Sequence, residues 1–403
     1  MPKPEESPPS ARALVLSMRA MGYEIETAIS DLIDNSIFAG SKNVLIEYDW
    51  NEAEPWIMIS DDGKGMNEKK LKLAMKPGSQ SPDEQREEGD LGRFGLGLKT
   101  ASWSQCKIMT VMSKMQGGRA YHRQWNLDHV VNKDSWELLR DIDVFAEELL
   151  SENLRVKKSG TAVLWQNLDR VVGESEAMGD SAEDLERGFV EKFSETVLPH
   201  LEMTFHRFLS GRDKISIKVG RSACKPWDPF LSSNQFTEER TTEKFDSGSI
   251  IVTPFILPHT SHLSEDEKES AQGPGGWSKQ QGFYVYRNQR MIISGGYLGL
   301  TGHDGKEFPA KDHFGLGRIR VDLPNDVDQE WRVDVRKASA SPPLRLRRDF
   351  ERIAKSTRDK SAEVYRRRTV SRSLPGKTTQ KMDIWNRRKV GGKTLYKVNR
   401  NSP

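Results

Sequence analysis

Asp31 and Asn35 stand four residues apart in a stretch with helical apolar spacing, so both side chains leave one face of the helix. A carboxylate there can orient a water. An amide oxygen one turn later supplies a hard ligand for magnesium, whose remaining shell would be phosphate oxygens and water. Polar pairs at this spacing are also common on solvated helices. A second group is the turn Asp61-Asp62-Gly63-Lys64-Gly65-Met66. An aspartate at a strand end can accept a hydrogen bond from an adenine amino group, and the glycines let the backbone come close to a base. The same DxGxG also suits an ordinary turn. The third group is Gly92, Gly95 and Gly97, followed by Leu98, Lys99 and a short helix. Backbone N–H groups in a glycine turn that opens a helix bind phosphate, because free donors and the helix dipole converge there; a packing turn is the alternative. The GxxxxGK[ST] spacing is absent, so this is no Walker loop, although Lys99-Thr100 looks like the end of one.

These groups need elements to hold them. Leu14, Leu16, Met18, Ile25, Ala28, Leu32 and Ile33 recur at helical spacing and predict one helix over 11–38. Val44, Ile46 and Tyr48 alternate as a strand, and Trp56 to Ile59 form a second that runs into Asp61. Lys76 to Asp90 is polar and reads as a mobile loop. A short helix from Lys99 to Trp103 follows, then strands at 107–112, 120–127 and 161–165, the last preceded by Gly160. This order predicts an α+β sandwich with helices on one face of a mixed sheet, not a doubly wound parallel sheet. Ala182 to Leu209 reads as a long amphipathic helix that closes the first domain. A second module is expected to open with a strand at 214–219 and to include a strand at 282–287 and the segment 331–335. Residues 265–276 read as an acidic, then glycine-rich loop. After Pro342-Pro343 come a basic helix over 344–368 and an ill-defined tail.

Bulk properties set the outer limits. The 403 residues leave room for two or three domains, with 30% charged and 35% hydrophobic residues. No apolar run is long enough for a membrane span and the first ten residues do not look like a signal peptide, so the expected compartment is the cytoplasm. Cys106 and Cys224 form no CxxC pair, which argues against a disulfide framework or a cysteine-zinc site. The net charge of +3 is unevenly spread: residues 341–403 hold 19 Lys and Arg against 5 Asp and Glu, leaving an acidic body. Such a polycationic tail is either a solvated end or a contact for nucleic-acid phosphates.

The ordered combination is more specific than any part of it. A helix with Asp31 and Asn35, a DxGxG turn 26 residues later, a glycine-rich cover after about 30 more, and Gly160-Thr161 entering a strand together resemble the GHKL ATPases, whose members include gyrase B, MutL and heat-shock chaperones. Within them the chain is most similar to prokaryotic MORC-like and then MutL-like ATPases, over roughly residues 12–345. The likeness extends to Lys225-Pro226-Trp227-Asp228-Pro229-Phe230, to the stretch Phe283 to Arg290, and to Trp331-Arg332-Val333-Asp334-Val335-Arg336-Lys337.

The resemblance implies a Bergerat-type ATP-binding α/β sandwich, an S5-like transducer domain and a basic C-terminal tail. The expected boundaries are 1–11 for a flexible N-terminus, 12–210 for the ATPase domain, 211–345 for the transducer and 346–403 for the basic helix and tail. It also implies ATP and Mg2+ as cofactors and hydrolysis of ATP. Asn35 would hold the metal and Asp61 would select adenine. Gly63, Gly65 and Met66 would form the base turn, Gly92, Gly95, Gly97, Leu98 and Lys99 the phosphate cover, and Thr161 would support the adenine contact. Lys337 would reach the γ-phosphate, with Arg336 as the competing candidate. Asp31 stands where the family usually has a catalytic glutamate, one methylene longer, so either the helix or the water shifts to restore reach or hydrolysis is slow. The implied behaviour is an ATP-gated homodimeric clamp acting on DNA through the basic tail, within a prokaryotic restriction or antiphage system and with a co-encoded nuclease or helicase as partner. A protein-remodelling chaperone is the alternative. A sensor kinase fits less well, since the first histidine, His122, follows the nucleotide motifs.

Overall fold

The computed structural model describes residues 9–20, 22–78, 97–171, 181–302, 305–324, 330–331 and 341–366, together with the backbone of 385–390 and 393–398. Ser10 opens α1 (Ala11–Arg19), its hydroxyl accepting from the Ala13 N–H. The single helix expected over 11–38 is two. Gly22 takes a left-handed φ of 66°, and α2 (Ile25–Phe38) starts afresh three residues later.

β1 (Asn43–Asp49) and β2 (Trp56–Asp61) follow, then α3 (Glu68–Met75), α4 (Gly97–Trp103), β3 (Ile108–Lys114), β4 (Ala120–Asn126), α5 (Leu127–Lys133), α6 (Val144–Arg155) and β5 (Gly160–Gln166). The strands lie in the order β4-β3-β5-β2-β1-β6-β7, with β6 (Ser216–Val219) and β7 (Ser222–Ala223) completing the sheet. All pairs are antiparallel except β1 with β6. The strand expected to open the second module is therefore part of the first sheet, which is mixed as the element order predicts.

Alternation along the strands sorts residues between two faces. Ile57 and Ile59 of β2, Met109 and Val111 of β3, and Val163 and Trp165 of β5 turn toward Ala28, Ile29, Leu32 and Ile33 of α2 in the main core. Met58, Met112, Ala162 and Leu164 face the opposite way and meet Ala146, Leu150 and Leu154 of α6. Helices thus cover both faces rather than one. That second cover is α6, while α5 adds Leu127 and Val130 to the main core; the element order predicts neither helix. The helix expected over 182–209 is α7 (Ala182–Lys192), a π-helical turn at Phe193–Val197 and α8 (Leu198–Thr204).

A second sheet holds β8 (Glu238–Glu239), β9 (Glu243–Phe245), β10 (Ile250–Ile256), β11 (Gly282–Arg287), β12 (Arg290–Ser294) and β13 (Gly317–Leu323). Its path is β12-β11-β13-β10-β8, with β9 also paired to β10 and β11 parallel to β13. The acidic stretch expected as a loop forms α9 (Glu265–Gln272), because Ser264 and Glu267 make a reciprocal capping box. The amphipathic α10 (Leu344–Arg366) buries Leu346, Phe350, Ile353 and Ala354 against Phe283, Val285, Ile319, Val321 and Trp331.

The chain divides into two units, Met1–Tyr365 and Arg366–Pro403. In the second, β14 (Trp385–Val390) and β15 (Lys393–Val398) form an antiparallel hairpin where an ill-defined tail was expected. Among the described residues no helix is long and apolar enough to cross a membrane.

Candidate functional site

Helix α2 links the motif groups. Asp31 is 5% exposed, and its Oδ2 accepts from the Tyr23 hydroxyl at 3.3 Å. The same oxygen lies beside the start of α4, where a Cβ on Gly97 would sit 3.7 Å away. One turn later Asn35 is exposed on the face that carries Asp31. At the next residue the Ser36 hydroxyl donates to Asp61 Oδ2 at 3.0 Å. From residue 31 to residue 36 the helix rises only about 7.5 Å, so the glycine start of α4 and the aspartate turn are gathered along a turn and a half.

Asp61 is 6% exposed at the end of β2. Its Oδ1 accepts from the Gly63 N–H at 2.9 Å. Burial raises its pKa, while the bonds from Gly63, Ser36 and the Thr161 backbone work the other way. The next residue anchors the turn from outside. Asp62 accepts from the Ser41 hydroxyl, the Lys42 and Asn43 N–H groups and the Asn43 amide, and despite some desolvation these bonds hold its pKa down at about 2.

Two glycines are required by the packing. Gly65 has φ 65°, and a Cβ there would run into the Lys114 carbonyl. Gly160, with φ 149°, is pressed against the Asp61 carbonyl. These approaches hold the aspartate turn against the entry to β5. Ser113 on β3 ties the same place together: its hydroxyl accepts from the Met66 N–H at 2.8 Å, donates to the Gly160 carbonyl at 3.0 Å and shares a 2.8 Å bond with the Thr161 hydroxyl. Asp61, Gly63, Gly65, Met66 and Thr161 are thus one cluster. Ser36 and Ser113 complete it and were not anticipated, since isolated serines carry no pattern.

The expected phosphate cover is only partly described. Gly92 and Gly95 lie outside the described residues, as do Arg336 and Lys337. Gly97 adjoins Asp31, and Leu98 packs on the main core. Lys99 is held inside. Its side chain is 3% exposed and its ammonium donates to the Ala74 carbonyl of α3 at 2.9 Å, while burial lowers its pKa to about 8. It ties α4 to α3.

One more charged group enters from the second sheet. Residues Asn288 and Gln289 both have positive φ and turn β11 tightly into β12, which presents Arg290 at the hairpin end. Its Nε donates to Asp34 Oδ1 at 2.9 Å, and its Nη2 lies 3.8 Å from Asp31 Oδ1. Arg290 also lines a cavity of about 340 Å³ between α2, α8 and β12, together with Thr27, His200 and Ser294. The lining of that cavity includes none of Asp31, Asn35, Asp61, Gly97 or Thr161.

The cluster suits a nucleotide with a metal. A buried carboxylate beside backbone reached only by glycine suits a purine edge, and the exposed Asn35 amide beside buried Asp31 suits a hydrated cation carried by phosphates. Among the described residues no three His, Cys, Asp or Glu side chains gather to cage a metal by themselves. A comparison with curated proteins finds no match. Residues 23–161, which hold α2, the aspartate turn, α4 and the start of β5, match the family of histidine kinase-, DNA gyrase B- and HSP90-like ATPases, which supports a GHKL-type ATPase domain over this stretch.

Proposed function

We propose that the chain binds ATP with Mg2+, hydrolyses it slowly and uses the nucleotide to close a MORC- or MutL-like homodimeric clamp on DNA. The observation that carries this is the role of α2, which sets Asp31 beside Gly97 and Ser36 on Asp61. Asp61 accepts the adenine amino group, with Thr161 beside it and Gly63, Gly65 and Met66 shaping the floor. Asn35 holds the metal, which when bound neutralises phosphate charge. Asp31 orients the attacking water and takes its proton. Its shorter side chain, compared with glutamate, makes the reach to that water longer and the reaction slow. The second sheet and α10 serve as the transducer, and Lys337 or Arg336 reports the γ-phosphate. Closure follows from a contact that ATP makes and ADP does not, since a ligand shifts an equilibrium only by its preference for one state. The +14 charge of residues 341–403 supports DNA as the object of the clamp.

Calorimetry with Mg2+ and ATP tests the pocket. Wild type gives a saturable heat, Asn35→Ala loses it, and Asp31→Ala keeps it while turnover falls by about 100-fold or more. No heat with wild type, or full-speed hydrolysis by Asp31→Ala, overturns the reading. Light scattering with a non-hydrolysable ATP analogue gives a dimer and with ADP a monomer; an unchanged monomer in both removes the clamp.

A further inference from the structure

We propose that Arg290 is a positioning residue for Asp31, so that hydrolysis requires the second sheet to be docked on α2. This rests on the reading of Asp31 as the base. Arg290, Asp31 and Asp34 are 3%, 5% and 1% exposed, so all three charges are out of water. A guanidinium between two buried carboxylates offsets their mutual repulsion and part of their lost hydration. The geometry divides its work. Its Nε donates to Asp34 Oδ1 at 2.9 Å, with Asp34 Oδ2 2.8 Å from the same nitrogen, which orients the fork. One terminal nitrogen donates to the Met291 carbonyl at 3.3 Å, and the other is left facing Asp31 Oδ1 at 3.8 Å. Asp31 Oδ2 is taken up by the Tyr23 hydroxyl and lies beside Gly97. The carboxylate is therefore held from two sides, by the segment before α2 and by a side chain some 260 residues later in the sequence.

The support behind Arg290 is rigid. The tight turn at Asn288-Gln289 sets the hairpin end, and the Phe205 ring lies 5.7 Å from the guanidinium carbon. Lysine keeps the charge but not the fork, so it cannot hold Asp34 and face Asp31 together. Two other charged groups near α2 have bonds of their own: Lys99 donates to Ala74, and Asp61 accepts from Ser36 and Gly63. A misplacement of about 1 Å in a reacting group costs about 100-fold in rate, which sets the expected effect.

The experiment uses the full chain and measures ATP affinity by calorimetry and kcat by phosphate release in wild type, Asp31→Ala, Arg290→Met and Arg290→Lys. Arg290→Met is expected to lower kcat by about 100-fold while the ATP Kd stays within about threefold, with Arg290→Lys between it and wild type. A role confined to holding the fold would move affinity and kcat together, and that result overturns the proposal, as does wild-type kcat in Arg290→Met. Should Arg290→Met not fold, Arg290→Lys decides: a kcat at least about tenfold lower at unchanged Kd supports the proposal, and an unchanged kcat overturns it. A slow Asp31→Ala with a fast Arg290→Met removes only the role of Arg290. Wild type without turnover, or a fast Asp31→Ala, removes the function reading and this proposal with it.

Discussion

Gly65 and Gly22 have almost the same backbone conformation, with φ of 65° and 66°, but very different surroundings. A Cβ on Gly22 meets nothing within 4 Å, whereas on Gly65 it runs into the Lys114 carbonyl and lies near Gly160. Conformational strain alone costs about 1 kcal/mol, so Gly22→Ala is expected to lose about that much. Gly65→Ala adds a backbone collision that only a shift of the aspartate turn relieves, for a total of about 3 kcal/mol or more. Urea unfolding of the two variants measures the difference; equal losses would mean that the close approach between the turn and the β3 end is wrong. The same contrast separates the two uses of glycine in the motif. Gly63 has an ordinary backbone but no room, since a Cβ would lie 2.8 Å from that of Ala39. Spacing alone marks the glycines of DxGxG without saying which is needed for conformation and which for space.

Among the elements, α6 shows most directly how burial reveals what spacing hid. Ala146, Leu150 and Leu154 recur every four residues, but Val144 and Phe145 are also apolar and exposed, which blurs the stripe. Asp143 caps its start by accepting from the Ala146 N–H at 2.7 Å. Leu150 is fully buried between Met58, Met112 and Leu164 on the back of the first sheet. Leu150→Ala is expected to cost about 2–5 kcal/mol, read as a lower thermal midpoint; a loss below 1 kcal/mol, typical of a surface site, would remove α6 from that face. The tail has a similar lesson. The pair Gly391-Gly392 is a recognised hairpin signal, and β-formers stand on both sides of it, Trp385 and Val390 before and Thr394, Tyr396 and Val398 after. The basic residues around it led instead to a reading by charge, and the strands 385–390 and 393–398 were missed.

For the molecule as a whole, the contacts between the first domain and the second sheet decide which experiments are sound. Arg207 pairs with Asp322 and stacks on Tyr286 at 3.5 Å, while His206 Nε2 and the Tyr286 hydroxyl share a 2.9 Å bond. Burial lowers the His206 pKa to about 4 from an ordinary 6.5. The unfolded chain therefore takes up a proton near pH 6.5 that the folded chain refuses until about 4. The stability is fully present above pH 6.5 and is lost as pH falls toward 4, about 2 kcal/mol of it by pH 5. Urea midpoints at pH 7.5 and 5 should fall further apart in wild type than in His206→Phe; equal gaps would show that His206 does not carry the dependence. The second experiment concerns the polycation. A cut after Pro343 would remove Phe350 and Ile353 from the core of the second sheet, so it tests folding rather than DNA. A cut after Tyr365 leaves the first unit entire and still removes 12 Lys and Arg with only Asp383 among the acids. DNA affinity should then weaken and its salt dependence flatten, while ATP affinity holds; unchanged DNA binding would take the role away from the tail.

The sequence by itself determined the candidate nucleotide motifs and their order, because such chemistry would need particular residue types at short range: a carboxylate and an amide one turn apart, an aspartate ahead of two glycines, a glycine at a helix start. It also determined most strands of the first sheet, through alternation and glycine punctuation. Only the tertiary structure decided which face each helix covers, that β6 belongs beside β1, that Lys99 turns inward to Ala74, and that Arg290 reaches Asp34 and Asp31. Those outcomes depend on which distant surfaces meet and exclude water, and a buried arginine reads in sequence like an exposed one. The spacing of residues along the chain carries no record of that meeting.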